Sequence, residues 1–177
     1  SGITFINLFD EVSISISNST SIQYFGPFAP LTNTFENDIV IKTLDILNLS
    51  KNIKLNIRIK KNIPTKAGLG SASTNAAALV KGLHKMNLIE KNDYKLLSKI
   101  GADVPVCFYA DNCLVTGIGD QIYSKIKFPK YYFVLVKPNI GFSTARMYKK
   151  IKTLSIINSQ DNKDIKNSTV INDNDFV

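Results

Sequence analysis

Residues 63–75, IPTKAGLGSASTN, combine the residue types that can hold an anion against protein backbone. Gly68 and Gly70 tolerate positive φ and let the backbone approach an oxyanion closely. Three hydroxyl side chains follow that can cap a helix or contact phosphate or metal: Ser71, Ser73 and Thr74. An alanine-rich run comes next, and the free N–H groups and the dipole of a helix that begins there attract negative charge.

The spacing of this loop matches neither of the two familiar nucleotide-binding loops. Lys66 comes before the glycines, so no Gly-Lys-Ser/Thr sequence closes the loop as in a Walker motif, and GxGxxG is absent. From these residues alone, a phosphate site and a capped structural turn both remain open.

Hydrophobic periodicity predicts the elements that position the loop. Before it, four apolar residues alternate with polar ones, as in a half-buried strand: Ile53, Leu55, Ile57 and Ile59. After it, apolar residues three and four apart predict a helix over 71–87, and a second helix over 92–100 ends at Gly101. The same spacing predicts an earlier helix over 39–47.

The other segments are predicted as strands and loops. VSISIS at 12–17 alternates like a strand, and the Pro/Gly/Asn/Thr-rich residues 18–34 are predicted as a loop. Three further strands are predicted at VPVCFYA, CLVTGIG and YYFVLVKP, followed by a short helix from Ser143. The resulting order, β-α-β-loop-α-α-β-β-β-α, predicts an α+β or two-layer α/β domain.

Length, charge and rare residues limit the function classes. The 177 residues fit one domain, or one domain and part of another, and the net charge of +8 is spread out, which suits an anionic ligand. His84 is predicted at the surface and is the single histidine, which disfavours Ser-His-Asp chemistry and multi-histidine metal sites within this sequence. Cys107 and Cys113 are predicted to be ordinary buried thiols.

Hydropathy predicts the compartment. No apolar run approaches the about 18–20 residues that a membrane span needs, and the first residues do not resemble a signal peptide. We expect a cytoplasmic protein, or a stromal one in a plastid-bearing source, with neither a membrane nor a nucleic acid as partner.

Two segments carry a resemblance to a known family. PTKAGLGSASTNAAAL is similar to the phosphate-binding motif of the GHMP kinases, in which a proline and a GLG-type turn precede an alanine-rich helix. IGADVPVCFYADNCLVTGIGDQI resembles the members of that superfamily that act in non-mevalonate isoprenoid precursor biosynthesis. ITFINLFDEVSI, ENDIV and VLVKPNIGFSTARMY agree in order and spacing, so the resemblance covers residues 3–150.

The resemblance implies a fold and a reaction. The fold is an α+β, two-layer α/β sandwich of the GHMP-kinase N-terminal-domain type, incomplete at both ends. Residues 1–152 form that domain without its first strand, and 153–177 are a polar linker toward an absent C-terminal domain. The implied reaction is ATP-dependent phosphorylation, with Mg²⁺, of the 2-hydroxyl of 4-diphosphocytidyl-2-C-methyl-D-erythritol. This chain alone is expected to be inactive, and its exposed sheet edge is expected to favour self-association.

The resemblance also assigns roles to residues. Asp103 is the implied catalytic base, whereas its position after Gly101 would by itself indicate a local cap. The implied ATP-binding residues are Asn37, Pro64, Lys66, Ala67, Gly68, Leu69, Gly70, Ser71, Ala72 and Ser73. The implied substrate-binding residues are Ala102, Asp103, Ile118, Thr144 and Tyr148. Tyr148 would stack on cytosine, and no metal-ligating side chain is identified.

Departures from the family pattern keep alternatives open. Ser71 and Ala72 stand where the pattern GLGGGSS has glycines, which is expected to restrict positive φ there. That version is closer to mevalonate-type kinases and mevalonate diphosphate decarboxylase. A basic RNA-binding module on the same scaffold is the alternative from another class.

Overall fold

The computed structural model describes residues 1–31, 38–90, 94–129 and 131–137. Six strands and four helices follow one another in this part of the chain: β1 Gly2–Ile3, β2 Glu11–Ile16, β3 Ser21–Phe25, α1 Ile39–Ile46, β4 Leu55–Lys60, α2 Ser71–Lys85, α3 Tyr94–Ile100, α4 Val104–Tyr109, β5 Cys113–Thr116 and β6 Gln121–Lys125. The predicted α+β class is confirmed.

The described strands form two three-stranded sheets. In the first, β4 lies between β2 and β3, antiparallel to β2 and parallel to β3. Ile57 at the centre of β4 is level with Ile14 of β2 and Ile22 of β3. The second sheet has the order β1-β5-β6 with antiparallel pairs.

The period-2 pattern of β4 places its apolar side chains in the core, as predicted. Leu55, Ile57 and Ile59 are at most 1% exposed, while Arg58 between them is exposed on the other face. They pack with buried residues of α1 and α2: Val40, Leu44, Leu79 and Leu83. Because β4 leads directly into residues 61–70, this core anchors the loop that precedes α2.

The helix that follows the loop, α2, is buried on two sides. Its Leu79 and Leu83 face the first sheet, and Ala76, Ala77 and Val80 pack against α3 and α4. Alanines leave space for these neighbours to approach closely. The helix predicted over 71–87 is thereby confirmed, and so is the earlier one at α1.

Two strand predictions and one loop prediction are wrong. VPVCFYA forms the helix α4: Pro105 occupies the first turn, where its missing N–H costs nothing, and Val104 and Val106 are buried. Residues 131–137, the described part of YYFVLVKP, adopt no assigned strand. Conversely, β3 lies inside the predicted loop 18–34, where Ile22 and Tyr24 alternate with polar residues.

Two smaller predictions also need correction. Residues 117–119, GIG, were predicted as the end of one strand with β5, but they form a turn with Asp120 that leads into β6. His84 is partly buried in α2 and its Nε2 atom has no hydrogen-bond partner in the described part of the chain, so it is not a plain surface residue.

Candidate active site

The glycine turn presents the start of α2 as an open anion site. Gly68 and Gly70 have φ of 73° and 65°, as predicted, and nothing lies within 4 Å of a Cβ added at either position. Gly70 is the N-cap residue and, as a glycine, has no side chain with which to cap the helix. The first bond of the helix runs from the Thr74 N–H to the Gly70 carbonyl at 3.0 Å, so the preceding amides have no partner within the helix. The N-cap residue itself therefore supplies no side-chain cap at this turn.

Ser71 and Ala72 cause no strain in place of glycine. Both lie in the first turn of α2, and neither is among the described non-glycine residues with positive φ. As expected, Ser71 and Ala72 do not adopt positive φ, and the loop has its positive-φ residues before them, at Lys66, Gly68 and Gly70. Lys66 does have a positive φ, 55°, and its side chain is exposed.

A cavity of about 580 Å³ brings the glycine turn and Asp103 together. Gly68, Leu69 and Gly70 line it from the loop, and Asp103 and Cys107 line it from α4. The remaining lining is largely apolar: Ile3, Phe5, Ile6, Leu8, Phe9, Ile63, Val106, Phe133 and Leu135. A volume of this size suits a small-molecule ligand.

Asp103 does not make the helix-capping hydrogen bond that its position after Gly101 suggested. It occupies the N-cap position of α4, but its side chain makes no cap hydrogen bond. Gly119 lies beside it, since a Cβ added there would come 3.4 Å from Oδ1 of Asp103. Burial, and then the nearby charge of Asp103, raise the pKa of the Cys107 thiol to about 11.

A buried ion pair, which was not predicted from the sequence, supports the loop from below. The Lys61 ammonium donates to Oδ2 of Asp10, with side chains 5% and 1% exposed, and also to Oγ of Ser71 at 3.2 Å. Asn75 of α2 donates to the same Asp10 oxygen at 3.1 Å. The pair thus joins the residue before β2, the residue after β4 and the first turns of α2.

The alternation of inward-facing and outward-facing residues along β2 and β4 contained a signal for this pair. Lys61 continues the inward-facing series Ile57, Ile59, and Asp10 precedes Val12 on the corresponding face of β2. A lysine on a buried strand face requires a carboxylate partner, and Asp10 was the candidate two positions before the apolar series of β2.

The other predicted site residues are only partly brought together. Ala102 is partly buried and Ile118 is 78% exposed, and neither lines the cavity. The same is true of Pro64, Lys66 and Ala67 in the loop and of Ser71, Ala72 and Ser73 in α2. Asn37, Thr144 and Tyr148 lie outside the described residues, as does the predicted linker 153–177. Asn37 was also a candidate for the N-cap of α1. Asp38 supplies that cap, because its side chain accepts from the Val40 N–H at 2.7 Å.

The described ranges show neither a metal cluster nor a membrane-spanning helix. Within them, no three His, Cys, Asp or Glu side chains come close enough together to hold a metal ion. Over the same residues, no helix has the length and apolar character to cross a bilayer.

The family model for the GHMP kinases N terminal domain matches residues 38–124, the span from α1 to β6 that contains the glycine turn and Asp103. Over this span the chain is similar to the GHMP kinases. Over most of its length it is also similar to proteins named 4-diphosphocytidyl-2-C-methyl-D-erythritol kinase. The one from Clostridium tetani is 37% identical over 90% of this chain and 58% of its own length. The one from Francisella philomiragia is 34% identical over 98% and 64%.

A solved structure agrees in fold. The crystal structure of a 4-(cytidine 5'-diphospho)-2C-methyl-D-erythritol kinase superposes with a TM-score of 0.58 at 22% identity, covering 81% of this chain and 51% of that one. The chain therefore spans little more than half the length of several proteins that it resembles.

Proposed function

We propose that the protein containing this chain transfers the γ-phosphoryl group of ATP to the 2-hydroxyl of 4-diphosphocytidyl-2-C-methyl-D-erythritol, in non-mevalonate isoprenoid precursor biosynthesis. The single observation that carries the proposal is the shared cavity of Gly68, Gly70 and Asp103. The names of the relatives supply the substrate, and they do not favour a mevalonate-type enzyme.

The ATP phosphates bind at the N-terminus of α2 in this proposal. The amides of Ser71, Ala72 and Ser73, which have no partner within the helix, donate to phosphate oxygens, and the helix dipole adds partial positive charge. Gly68 and Gly70 have no side chain that could obstruct the phosphate chain. Mg²⁺ would neutralise the charge of the ATP phosphates, and Asp103, a carboxylate of the described cavity lining, would be the residue to hold it.

Asp103 acts as the base. Its carboxylate makes no helix-capping hydrogen bond and faces the cavity. It accepts the proton of the substrate hydroxyl while that oxygen attacks the γ-phosphorus and ADP leaves. The apolar walls exclude water that would otherwise compete for the phosphoryl group. Thr144 and Tyr148 remain the proposed contacts to the cytidine end of the substrate.

Asp103→Asn tests the proposal in the protein expressed from its complete reading frame. We expect kcat for phosphoryl transfer from γ-labelled ATP to fall by about 100-fold or more, while the Kd for ATP changes by less than about threefold. Asp111→Asn is the matched control, since Asp111 is exposed and paired with Lys125 on the surface. Turnover retained by Asp103→Asn would refute the role of Asp103, and a wild-type protein inactive on this substrate would refute the assigned reaction.

A further inference from the structure

We propose that Lys42 of α1 is a positioning residue for Asp103, because its ammonium group holds the backbone carbonyl of Ile100, immediately before the turn that carries Asp103. The inference rests on the proposed function, in which Asp103 is the base, and adds a residue that keeps this base in place. Lys42 does not line the cavity, so it acts on the reaction through Asp103 and not by touching a ligand.

The turn that carries Asp103 has only three residues between two helices. α3 ends at Ile100 and α4 begins at Val104. The Val104 N–H donates to the Gly101 carbonyl at 3.1 Å, which closes the turn. Because the Asp103 side chain makes no cap hydrogen bond, the position of its carboxylate depends on where the backbone of the turn lies.

The Ile100 carbonyl is held from outside its own helix. It belongs to the last residue of α3, and the last carbonyls of a helix have no partner within that helix. Nζ of Lys42 donates to it at 2.6 Å across 58 positions of sequence. The lysine charge also matches the partial negative charge at this end of the helix. The Ile100 side chain is 1% exposed and belongs to the same buried cluster as Val104, so this residue is fixed by its side chain and by its carbonyl.

Lys42 extends from a helix whose own position is well fixed. The Asp38 side chain caps α1, and the Asp38 carbonyl accepts from the Lys42 N–H at 3.0 Å. Val40, Thr43 and Leu44 around it are at most 3% exposed. Lys42 itself is an exposed residue, so burial does not force its ammonium group onto the carbonyl. Its bond to Ile100 is therefore the observation that carries the inference.

The turn also lies beside the end of α2 that is proposed to bind phosphate. A Cβ added at Gly101 would come 4.0 Å from Oγ of Ser73, in the first turn of α2. Loss of the bond to Lys42 frees residues 101–103 to shift relative to α2, which changes the distance between Asp103 and the substrate hydroxyl. A displacement of about 1 Å at the reacting groups can lower a rate by about 100-fold.

Steady-state kinetics and ATP binding of the protein expressed from its complete reading frame test the inference. We expect Lys42→Met, which cannot donate, to lower kcat about tenfold or more while the Kd for ATP changes by less than about threefold. Lys42→Arg keeps the charge and a donor and should restore kcat to within about threefold of wild type. Lys99→Met is the matched control, because it removes an exposed lysine from the last turn of α3 and leaves the bond between Lys42 and Ile100 intact.

A double-mutant cycle with Asp103→Asn separates positioning from a general effect on stability. If Lys42 acts through Asp103, adding Lys42→Met to Asp103→Asn lowers kcat by less than about twofold further. Losses of kcat that multiply would overturn the inference, as would a loss of ATP affinity as large as the loss of kcat.

A Lys42→Met variant with wild-type kcat would also overturn the inference. Thermal unfolding shows whether this variant folds. If it does not, Lys42→Gln, which removes the charge and shortens the side chain, takes its place, and unchanged kcat in that variant overturns the inference equally. A wild-type protein that is inactive on the substrate would instead overturn the proposed function, and the inference with it.

Discussion

At the scale of single residues, Cys107 is a reporter of the charge on Asp103. It lies one helical turn after Asp103 and lines the same cavity. Burial is the main reason that the pKa of its thiol rises to about 11, and the negative charge of Asp103 raises it further. Neutralising Asp103 therefore lowers the pKa of Cys107 and makes its thiolate available at lower pH.

The corresponding prediction uses alkylation by iodoacetamide. In a Cys113→Ser background, the alkylation rate of Cys107 should keep rising with pH toward about 11, and Asp103→Asn should shift that profile to lower pH. Mass spectrometry of the intact protein over time measures the rate. Asp111→Asn is the control, because the charge of Asp111 acts on Cys113 and not on Cys107. Identical profiles with and without the Asp103→Asn substitution would contradict the coupling.

The residues of the site were predictable to different degrees. Gly68 and Gly70 were identified because a turn before a helix requires positive φ, which is a local property of the chain. Lys61 was missed because its partner Asp10 lies 51 positions away in sequence. Periodicity places Lys61 on an inner face, but only the register of β2 on β4 shows which carboxylate it meets.

At the scale of elements, the two glycines of the turn differ from most other described glycines in why a side chain there would destabilise the fold. A Cβ at Gly68 or Gly70 meets no neighbour, so the penalty comes from the left-handed backbone alone. We expect Gly68→Ala and Gly70→Ala each to lower the free energy of unfolding by about 1–2 kcal/mol.

Urea denaturation measures that penalty, with asparagine as the matched substitution. Gly70→Asn should cost less than Gly70→Ala, because asparagine adopts the left-handed region more readily. A Gly70→Ala variant as stable as wild type would contradict the left-handed backbone conformation at Gly70.

The prediction of elements succeeded where the pattern was long and failed where it was short. α2 has fifteen residues and β4 a clear alternation, and both were identified. The apolar run of α4 covers six residues, and periodicity does not separate a buried strand from a buried helix at that length. The proline in its first turn favoured the helix, but the β-branched and aromatic residues outweighed it and led to the strand prediction.

At the scale of the whole molecule, residues 131–137 leave an unusual amount of apolar surface exposed. Tyr132, Val134 and Val136 are 102%, 90% and 87% exposed, whereas Phe133 and Leu135 line the cavity. Within the described residues, β2 also has a neighbour on one side only. Exposed apolar segments and unpaired strand edges both favour association between chains.

We therefore predict that the 177-residue chain self-associates and that Val134→Lys with Val136→Lys reduces this. Sedimentation velocity over a range of concentrations measures it, because charges on an exposed apolar segment oppose pairing. Ile118→Lys is the control, another exposed apolar residue, in the turn between β5 and β6. A wild-type chain that stays monomeric at high concentration would contradict the prediction.

The overall class of the molecule was more predictable than its extent. The α+β fold follows from the helical and strand-like periods of apolar residues in the sequence, and the similarity to the GHMP kinases follows from the GLG turn and the GADVPV segment. The boundary at residue 152 and the linker beyond it remain predictions, because they depend on residues outside the described part.

The buried Asp10 carboxylate, which accepts hydrogen bonds from four residues, has a thermodynamic consequence for ligand binding. It holds the backbone at residues 62 and 63 and the first turns of α2 through bonds that span 51 to 65 positions of sequence. Both flanks of the glycine turn are thus tied to Asp10, and breaking these bonds would leave a buried charge without its partners. An anion that arrives at this turn has little chain entropy to remove, so more of its interaction energy is retained as affinity.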